Sequence, residues 1–319
     1  KAELAAIESS KATPASLVSL YLKWLAYGES HPYGVWPADS GTIEAINSDL
    51  LTSFYERVYH PDNLQLFVVG SIDEDVLFTV LEKHFGDWRA SGDVVSLPDV
   101  SSLAKGNAPT VILFDTPGAP QSNILAYQPV PPPNGEHFDA FQLANWVYGG
   151  GFESRLNQNI RQDKGWSYGV RSAVNDAAGP RIWSITAPVQ TDKTAASITE
   201  LRNELAAIVG DKRITDAELQ DVQNLVIRGL AGRLAGADPT MEYLISVTEN
   251  DRPNNYVETR KSAISRLTTS DLQAALNDHL DIDSLAWIIA GDLAKIEQEI
   301  RSLNLGDVEV WSIDGDKLR

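Results

Sequence analysis

The sequence predicts an α+β protein. It reads as two homologous units of about 220 residues, the first truncated, each a largely antiparallel sheet with helices packed on one face. Three observations predict it. Apolar runs of strand length come mainly in adjacent pairs with helical patterns grouped after them, the order of an α+β layer. A stretch beginning at Ser48 reappears from Ser270 with the same order and spacing. The 319 residues exceed what one hydrophobic core usually serves, and 43% hydrophobic content is enough to fill a sizeable one.

The repeat sets the organisation. "SDLLTSFYERVYHPDNLQLFVVGSIDEDVLFTVLEKHFGDW" matches "SDLQAALNDHLDIDSLAWIIAGDLAKIEQEIRSLNLGDVEVW". Ser48 pairs with Ser270, Gly70 with Gly291 and Gly86 with Gly306, at separations of 222, 221 and 220 residues. Each copy opens with Ser-Asp-Leu at an amphipathic helix, and serine is a good N-cap. "LQLFVV" and "LAWIIA" have the length and apolarity of buried strands. A unit of that size fits once. Residues 101–319 then form a complete second unit, and residues 1–100 the C-terminal part of a first whose front is missing by about 120 residues. The loop-like "SLPDVSSLAKGNAP" marks the boundary.

Element by element, residues 12–27 read as a helix, followed by the "HPYGVW" loop. Helices are expected at 49–59 and 73–85 around a strand at 64–69. "TVILFD" and "SNILAYQ" open the second unit as strands, and "PVPPPNG" breaks the chain. A helix at 136–147, a run of glycines and a short helix at 153–163 follow. "WSYGVRSAV" and "RIWSITAPV" read as strands. Long helices are expected at 192–209 and 215–235, and smaller ones across 240–279, before the repeat closes the chain.

Composition excludes several functions. A formal charge of −18 repels nucleic acid and anionic lipid, so neither is an expected partner. It attracts basic or neutral peptides, although solubility alone also accounts for it. There is no cysteine, hence no disulfide or thiolate metal site, which fits the cytoplasm or an exported bacterial protein. No run approaches the roughly 20 apolar residues of a membrane helix; "SLVSLYLKWLAYG" is short and carries Lys23. The only methionine is Met241 and the opening "KAELAAIESS" is no signal peptide, so the chain reads as a piece of something longer.

Metal and nucleophile patterns are also missing. The five histidines, His31, His60, His84, His137 and His279, include no pair three to five residues apart, and neither H-x-x-E-H nor H-E-x-x-H occurs. No zinc site is expected in this piece. There is no G-x-S-x-G, and "GGGFESR" is not a phosphate-binding loop.

The stretch that carries chemistry is "GGGFESRLNQNIRQDKGWSYGV", residues 149–170. Gly149, Gly150 and Gly151 permit positive φ and close backbone approach. Arg161 falls near the end of the short helix, and Gly165 is placed to cap it. If 166–174 is a strand, Trp166, Tyr168 and Val170 share one face. Seven residues across a helix end, a turn and a strand start can bring Arg161 and Tyr168 together. A guanidinium and a phenol there can hold a carbonyl oxygen or a carboxylate. Equally, Tyr168 can be sheet packing and Arg161 a surface charge.

This stretch resembles the signature of the inverzincin peptidases, the family of pitrilysin, insulin-degrading enzyme and mitochondrial processing peptidase. The shared pattern is a glycine run, Ser-Arg-Leu, an arginine, then Gly-x-x-Tyr. "HPYG" and "TIEAINSDLLTSFYERVYHPDNLQLFVVGSID" are similar to the family as well. The resemblance implies units of about 220 residues, paired into halves that close around a peptide. One half carries H-x-x-E-H and zinc; the other usually supplies an arginine and a tyrosine to the substrate. By motif match these are Arg161, with the glycines, in substrate binding and Tyr168 in catalysis. Arg155, in Ser-Arg-Leu, is read as structural. Glu8 falls near the place of a third zinc ligand but lacks the acidic run expected there, and is read as vestigial or coincidental.

The expectation is therefore the substrate-binding half of a zinc endopeptidase. It holds a peptide or unfolded polypeptide and stabilises the tetrahedral transition state. It has no cofactor of its own and is inactive alone, while zinc and the general base come from another half, on the same polypeptide or on a partner chain. The alternatives are a non-catalytic structural relative, like the core subunits of a respiratory complex, or a self-sufficient peptide-binding module. By resemblance the compartment is the bacterial periplasm, with the cytoplasm as alternative.

Overall fold

The computed structural model describes residues 2–89, 95–101, 111–132, 137–232, 234–250 and 252–319. Packing divides the chain into two compact units. The larger comprises Lys1–Ala38, Asp99–Asn224 and Ala263–Arg319; the smaller comprises Asp39–Pro98 and Leu225–Ser262. Most of the boundary stretch at 96–109 lies outside the described residues.

Six strands form one sheet: β1 (Val111–Asp115), β2 (Gln121–Val130), β3 (Arg171–Val174), β4 (Arg181–Gln190), β5 (Ala286–Gly291) and β6 (Val308–Trp311). Their order is β3-β4-β2-β5-β1-β6. The pairs from β3 to β5 are antiparallel; β1 lies parallel to both β5 and β6. The central strands are apolar without alternation because both their faces are covered: Val111, Ile112, Leu113 and Phe114 are all buried, as are residues 286–291 except Ala286.

The helices, in chain order, are α1 (Ala2–Lys11), α2 (Pro14–Leu20), α3 (Leu22–Tyr27), α4 (Ser40–Glu44), α5 (Ser48–Val58), α6 (Glu74–Phe85), α7 (Phe138–Asn145), α8 (Thr194–Val209), α9 (Asp216–Gly232), α10 (Ala237–Glu249), α11 (Tyr256–Ile264), α12 (Thr269–His279) and α13 (Leu293–Ser302). Helix α13 lies on the face of the sheet that carries Gly291, where an added Cβ would sit 2.7 Å from Ile296 Cδ1. Helix α8 docks there too, through a 2.9 Å hydrogen bond from Thr194 Oγ1 to Ser122 Oγ. The α+β class is as the sequence predicts, with one addition: the opposite face is covered by α2 and α3. Leu17, Val18, Tyr21 and Leu25 pack there against Ile112, Phe114, Leu125 and Ile288. Full burial of each such side chain contributes about 1.5–3 kcal/mol, so residues near the start of the chain belong to this core.

Several local predictions are corrected. The helix expected over 12–27 breaks at Tyr21 (φ −95°, ψ −3°), whose hydroxyl donates to the Ile313 carbonyl at 3.0 Å. Burial, with Asp314 and Asp316 nearby, pushes that phenol up to about 12. The N-caps are Asn47 and Thr268 rather than Ser48 and Ser270. Thr268 closes a capping box with Asp271, one reason serine two residues on is not needed.

In the smaller unit, "LQLFVV" (64–69) forms no strand. Its twin β5 has β2 on one side and β1 on the other, whereas 64–69 has no ladder partner among the described residues. A strand exists only as a pairing, and here Leu64, Leu66 and Val68 stay exposed. The repeat otherwise holds: the short turns at Pro61–Asn63 and Ile282–Ser284 fall at matching places before the two segments.

Candidate functional site

The glycine run is shaped by what lies under it. Helix α7 passes into a π-helical turn, Trp146–Gly150, of the kind often found at functional sites. Asn145, buried at its start, accepts hydrogen bonds from Ser172 Oγ (2.6 Å) and Trp183 Nε1 (2.7 Å) and donates to the Ser172 carbonyl at 3.2 Å. This network ties the turn to β3 and β4. Gly149 then sits directly on β3: a Cβ there would lie 2.6 Å from Ser172 Oγ, 2.8 Å from Leu156 Cδ1 and 2.9 Å from the Ser172 nitrogen. At Gly150 the nearest atoms would be those of Asn145 at 3.2 Å, and at Gly151 the Trp146 ring at 3.3 Å. None of the three has positive φ. Their glycine character serves close approach alone, which corrects half of the sequence reading.

The next turn is locked from inside. Asn157, buried, donates through Nδ2 to the Gly151 carbonyl (3.0 Å) and Ser154 Oγ (3.2 Å), while its Oδ1 accepts the Val170 N–H at 2.9 Å. One side chain thus joins the end of the glycine run to the returning chain. Arg155 is structural, as read. Its guanidinium meets Glu218 through Nε (2.7 Å) and Nη2 (2.8 Å) and also donates to the carbonyls of Lys212 and Arg213. Burial alone would raise the Glu218 carboxyl; hydrogen bonds from Arg155 and Thr215 more than offset it and hold it below its usual range.

A second π-helical segment, Asn157–Asp163, carries Arg161. It ends where Gly165 takes φ +66°, the predicted left-handed stop. The strand expected from Trp166 does not start there; β3 begins only at Arg171. Ser167 Oγ accepts the Gly169 N–H at 3.0 Å and shares its proton between the carbonyls of Gly169 (2.9 Å) and of Pro188 on β4 (2.5 Å), so a side chain takes the place of ladder bonds here. Trp166, Tyr168 and Val170 consequently share no face: Val170 is buried, Trp166 half-buried and Tyr168 91% exposed.

Tyr168 is therefore no packing residue. Its hydroxyl makes no hydrogen bond among the described residues. The Arg161 guanidinium forms no ion pair among them either; its carbon sits 4.2 Å from the centroid of the Phe152 ring. The structure thus brings Arg161 to Phe152, and joins Arg161 and Tyr168 through no direct hydrogen bond or ring contact. Sequence reasoning missed Phe152, Asn145 and Asn157. The asparagines carried a usable signal: each is polar at a position whose helical neighbours, such as Phe141 for Asn145 and Ile160 for Asn157, are core.

Elsewhere, two of the histidines serve local structure. His31 is buried against Tyr27 and accepts the Tyr33 N–H at 3.0 Å; His60 accepts the Asp62 N–H at 3.2 Å. Glu8 is exposed on α1. Among the described residues no three His, Cys, Asp or Glu side chains are grouped to hold a metal ion.

The sequence profile of the peptidase M16 inactive domain matches residues 45–226, more than half of the chain and the whole glycine–arginine–tyrosine stretch. The chain belongs to the peptidase M16 inactive-domain family. A curated relative, an uncharacterized zinc protease of Mycobacterium leprae, is 26% identical over 76% of this chain and 54% of its own length. A second, from Mycobacterium bovis, is 24% identical over 90% of the chain and 66% of its own length. The chain thus spans 39% to 66% of the length of these and other curated relatives that it matches. Among solved structures, a peptidase M16 inactive domain from Pseudomonas fluorescens superposes with a TM-score of 0.77 at 23% identity, covering 90% of this chain and 68% of that one. A chain of complex III from Candida albicans gives 0.72 at 13% identity, covering 94% and 73%. The fold is therefore shared with a solved peptidase M16 inactive domain and with a chain of complex III.

Proposed function

We propose that this chain forms the substrate-holding half of a zinc-dependent endopeptidase. In this reading zinc and the general base belong to another half, on the same polypeptide or on a partner chain. The observation that carries it is the display of Arg161 and Tyr168. Both are strong donors left unpaired among the described residues, on a segment clamped by Gly149, Asn157 and Arg155. Donors held ready on a fixed frame are what binding a peptide in one orientation requires.

The two donors suit different steps. Arg161 offers a planar fork that fits a peptide carbonyl or a C-terminal carboxylate. The Tyr168 phenol can donate to an amide oxygen, and that bond strengthens as charge builds on the oxygen when water adds. Gly149, Gly150 and Gly151 enter as the positions that let the segment sit down on β3. Zinc itself does not fit among the described residues, which group no ligand set; held elsewhere, it would supply Lewis acidity.

The test of the binding role is Arg161→Ala in the complete peptidase. Loss of a charged hydrogen bond is expected to raise KM roughly tenfold or more. The melting temperature should hardly move, because Arg161 has no ion partner to lose. Unchanged KM with a large loss of stability would make Arg161 a packing residue and favour the non-catalytic reading, which the likeness to a complex III chain keeps open at the level of fold.

A further inference from the structure

We propose that Phe152 is the positioning residue for Arg161; the proposal rests on reading Arg161 as a substrate-binding group. Phe152 follows the glycine run directly and is 63% exposed, so its ring is not spent on the core. The guanidinium carbon of Arg161 lies 4.2 Å from the ring centroid, within cation–π range. Although the chain has 44 acidic residues, Arg161 meets none in an ion pair among the described residues. The exposed ring is thus the contact that holds an otherwise free arginine.

The backbone beneath the ring is fixed. The Gly151 carbonyl accepts both Asn157 Nδ2 (3.0 Å) and the Ser154 N–H (3.3 Å), and Gly151 itself abuts the Trp146 ring. Phe152 leaves this anchored point as a platform. The guanidinium over it has that side covered, and its N–H groups meet no hydrogen-bond partner among the described residues. The N–H edge is the part that bonds a carbonyl or carboxylate in plane. An unsupported arginine would have to give up rotamer freedom when substrate arrives; the ring has already restricted it, which is preorganisation. The ligand class follows: a planar oxygen acceptor approaching edge-on.

The test uses the complete peptidase with a quenched peptide and four variants: Phe152→Leu, Phe152→Trp, Arg161→Ala and the double variant F152L/R161A. An exposed cation–π contact corresponds to about a two- to fivefold change in affinity, so F152L should raise KM by about that factor with kcat and melting temperature unchanged. Tryptophan, the better cation–π partner, should restore KM. In the R161A background, F152L should add nothing further. A raised KM in R161A beside an unchanged KM in F152L would overturn the proposal alone, as would an F152L effect that persists undiminished without Arg161. An unchanged KM in R161A would remove the substrate reading and the proposal with it.

Discussion

Replacing Gly149 by alanine would drive a methyl group into β3. The new Cβ would meet Ser172 Oγ at 2.6 Å, Leu156 Cδ1 at 2.8 Å and the Ser172 nitrogen at 2.9 Å. The leucine tip can swing aside. The serine hydroxyl cannot do so freely, because it donates to Asn145 Oδ1 at 2.6 Å inside the network that also takes the Trp183 indole N–H. Turning it away leaves a buried hydroxyl unpaired, at about 1–3 kcal/mol. Keeping it means pushing β3 outward against a strand nitrogen that has no rotamer to change, and overpacking of this kind costs about 1–3 kcal/mol. Against either stands the smaller entropy of unfolded alanine, about 0.4–1 kcal/mol. The net expectation is a loss of about 1–2 kcal/mol, read as a lower urea midpoint with unchanged slope, followed by tryptophan fluorescence. Gly229→Ala is the internal control. It lies within α9 with nothing inside 4 Å of the added Cβ, so it should stabilise by roughly 0.5–1 kcal/mol through helix propensity. A Gly149→Ala chain as stable as wild type would refute the account of the glycine run as a close-approach device.

Glu218 gives a pH dependence. Its folded carboxyl is held below the usual 4.5, so the stabilisation it contributes is complete above that value and lost as pH falls through the lower folded value. Arg155→Ala should flatten this part of the stability–pH curve, and a curve of unchanged shape would show that Arg155 does not hold Glu218. After dialysis the purified chain should carry well under one equivalent of zinc by elemental analysis; a full equivalent would mean a ligand set that the described residues do not group.

The strands that the sequence made legible are those whose apolarity reflects a place deep in the sheet. "VILFD", "SNILAYQ" and "AWIIAG" became strands with neighbours on both edges and burial on both faces, and "RIWSITAPV" one with neighbours on both edges and one face more deeply buried than the other. "LQLFVV" has the same local character and no partner, and no property of its own six residues could report that. Residues 166–170 failed for a different reason: the Ser167 side chain bonds both Gly169 and the Pro188 carbonyl of β4, and such side-chain bonding competes with a ladder in a way periodicity does not register. The cover that α2 and α3 give the sheet was also hidden, since it joins residues about a hundred or more positions apart. At the site, the motif made the candidate residues readable, but not the contacts around them. The motif gave Arg161 and Tyr168. It did not give the Phe152 platform, nor the inward-facing asparagines, because hydrogen bonds made across a fold leave only the weak trace of a polar residue in an apolar row.

The most direct measurement of the central claim is the steady-state kinetics of Tyr168→Phe in the complete peptidase, under conditions where chemistry limits turnover. The ring is 91% exposed and its hydroxyl bonds to nothing among the described residues, so the change removes one donor and disturbs no packing. Loss of one donor to a developing oxyanion typically lowers kcat about 10²–10³-fold. The account predicts kcat and kcat/KM falling together by about that factor, with KM nearly constant. Retention of more than about half of the wild-type kcat, against that expected loss, would contradict it and leave the exposed phenol without a part in catalysis.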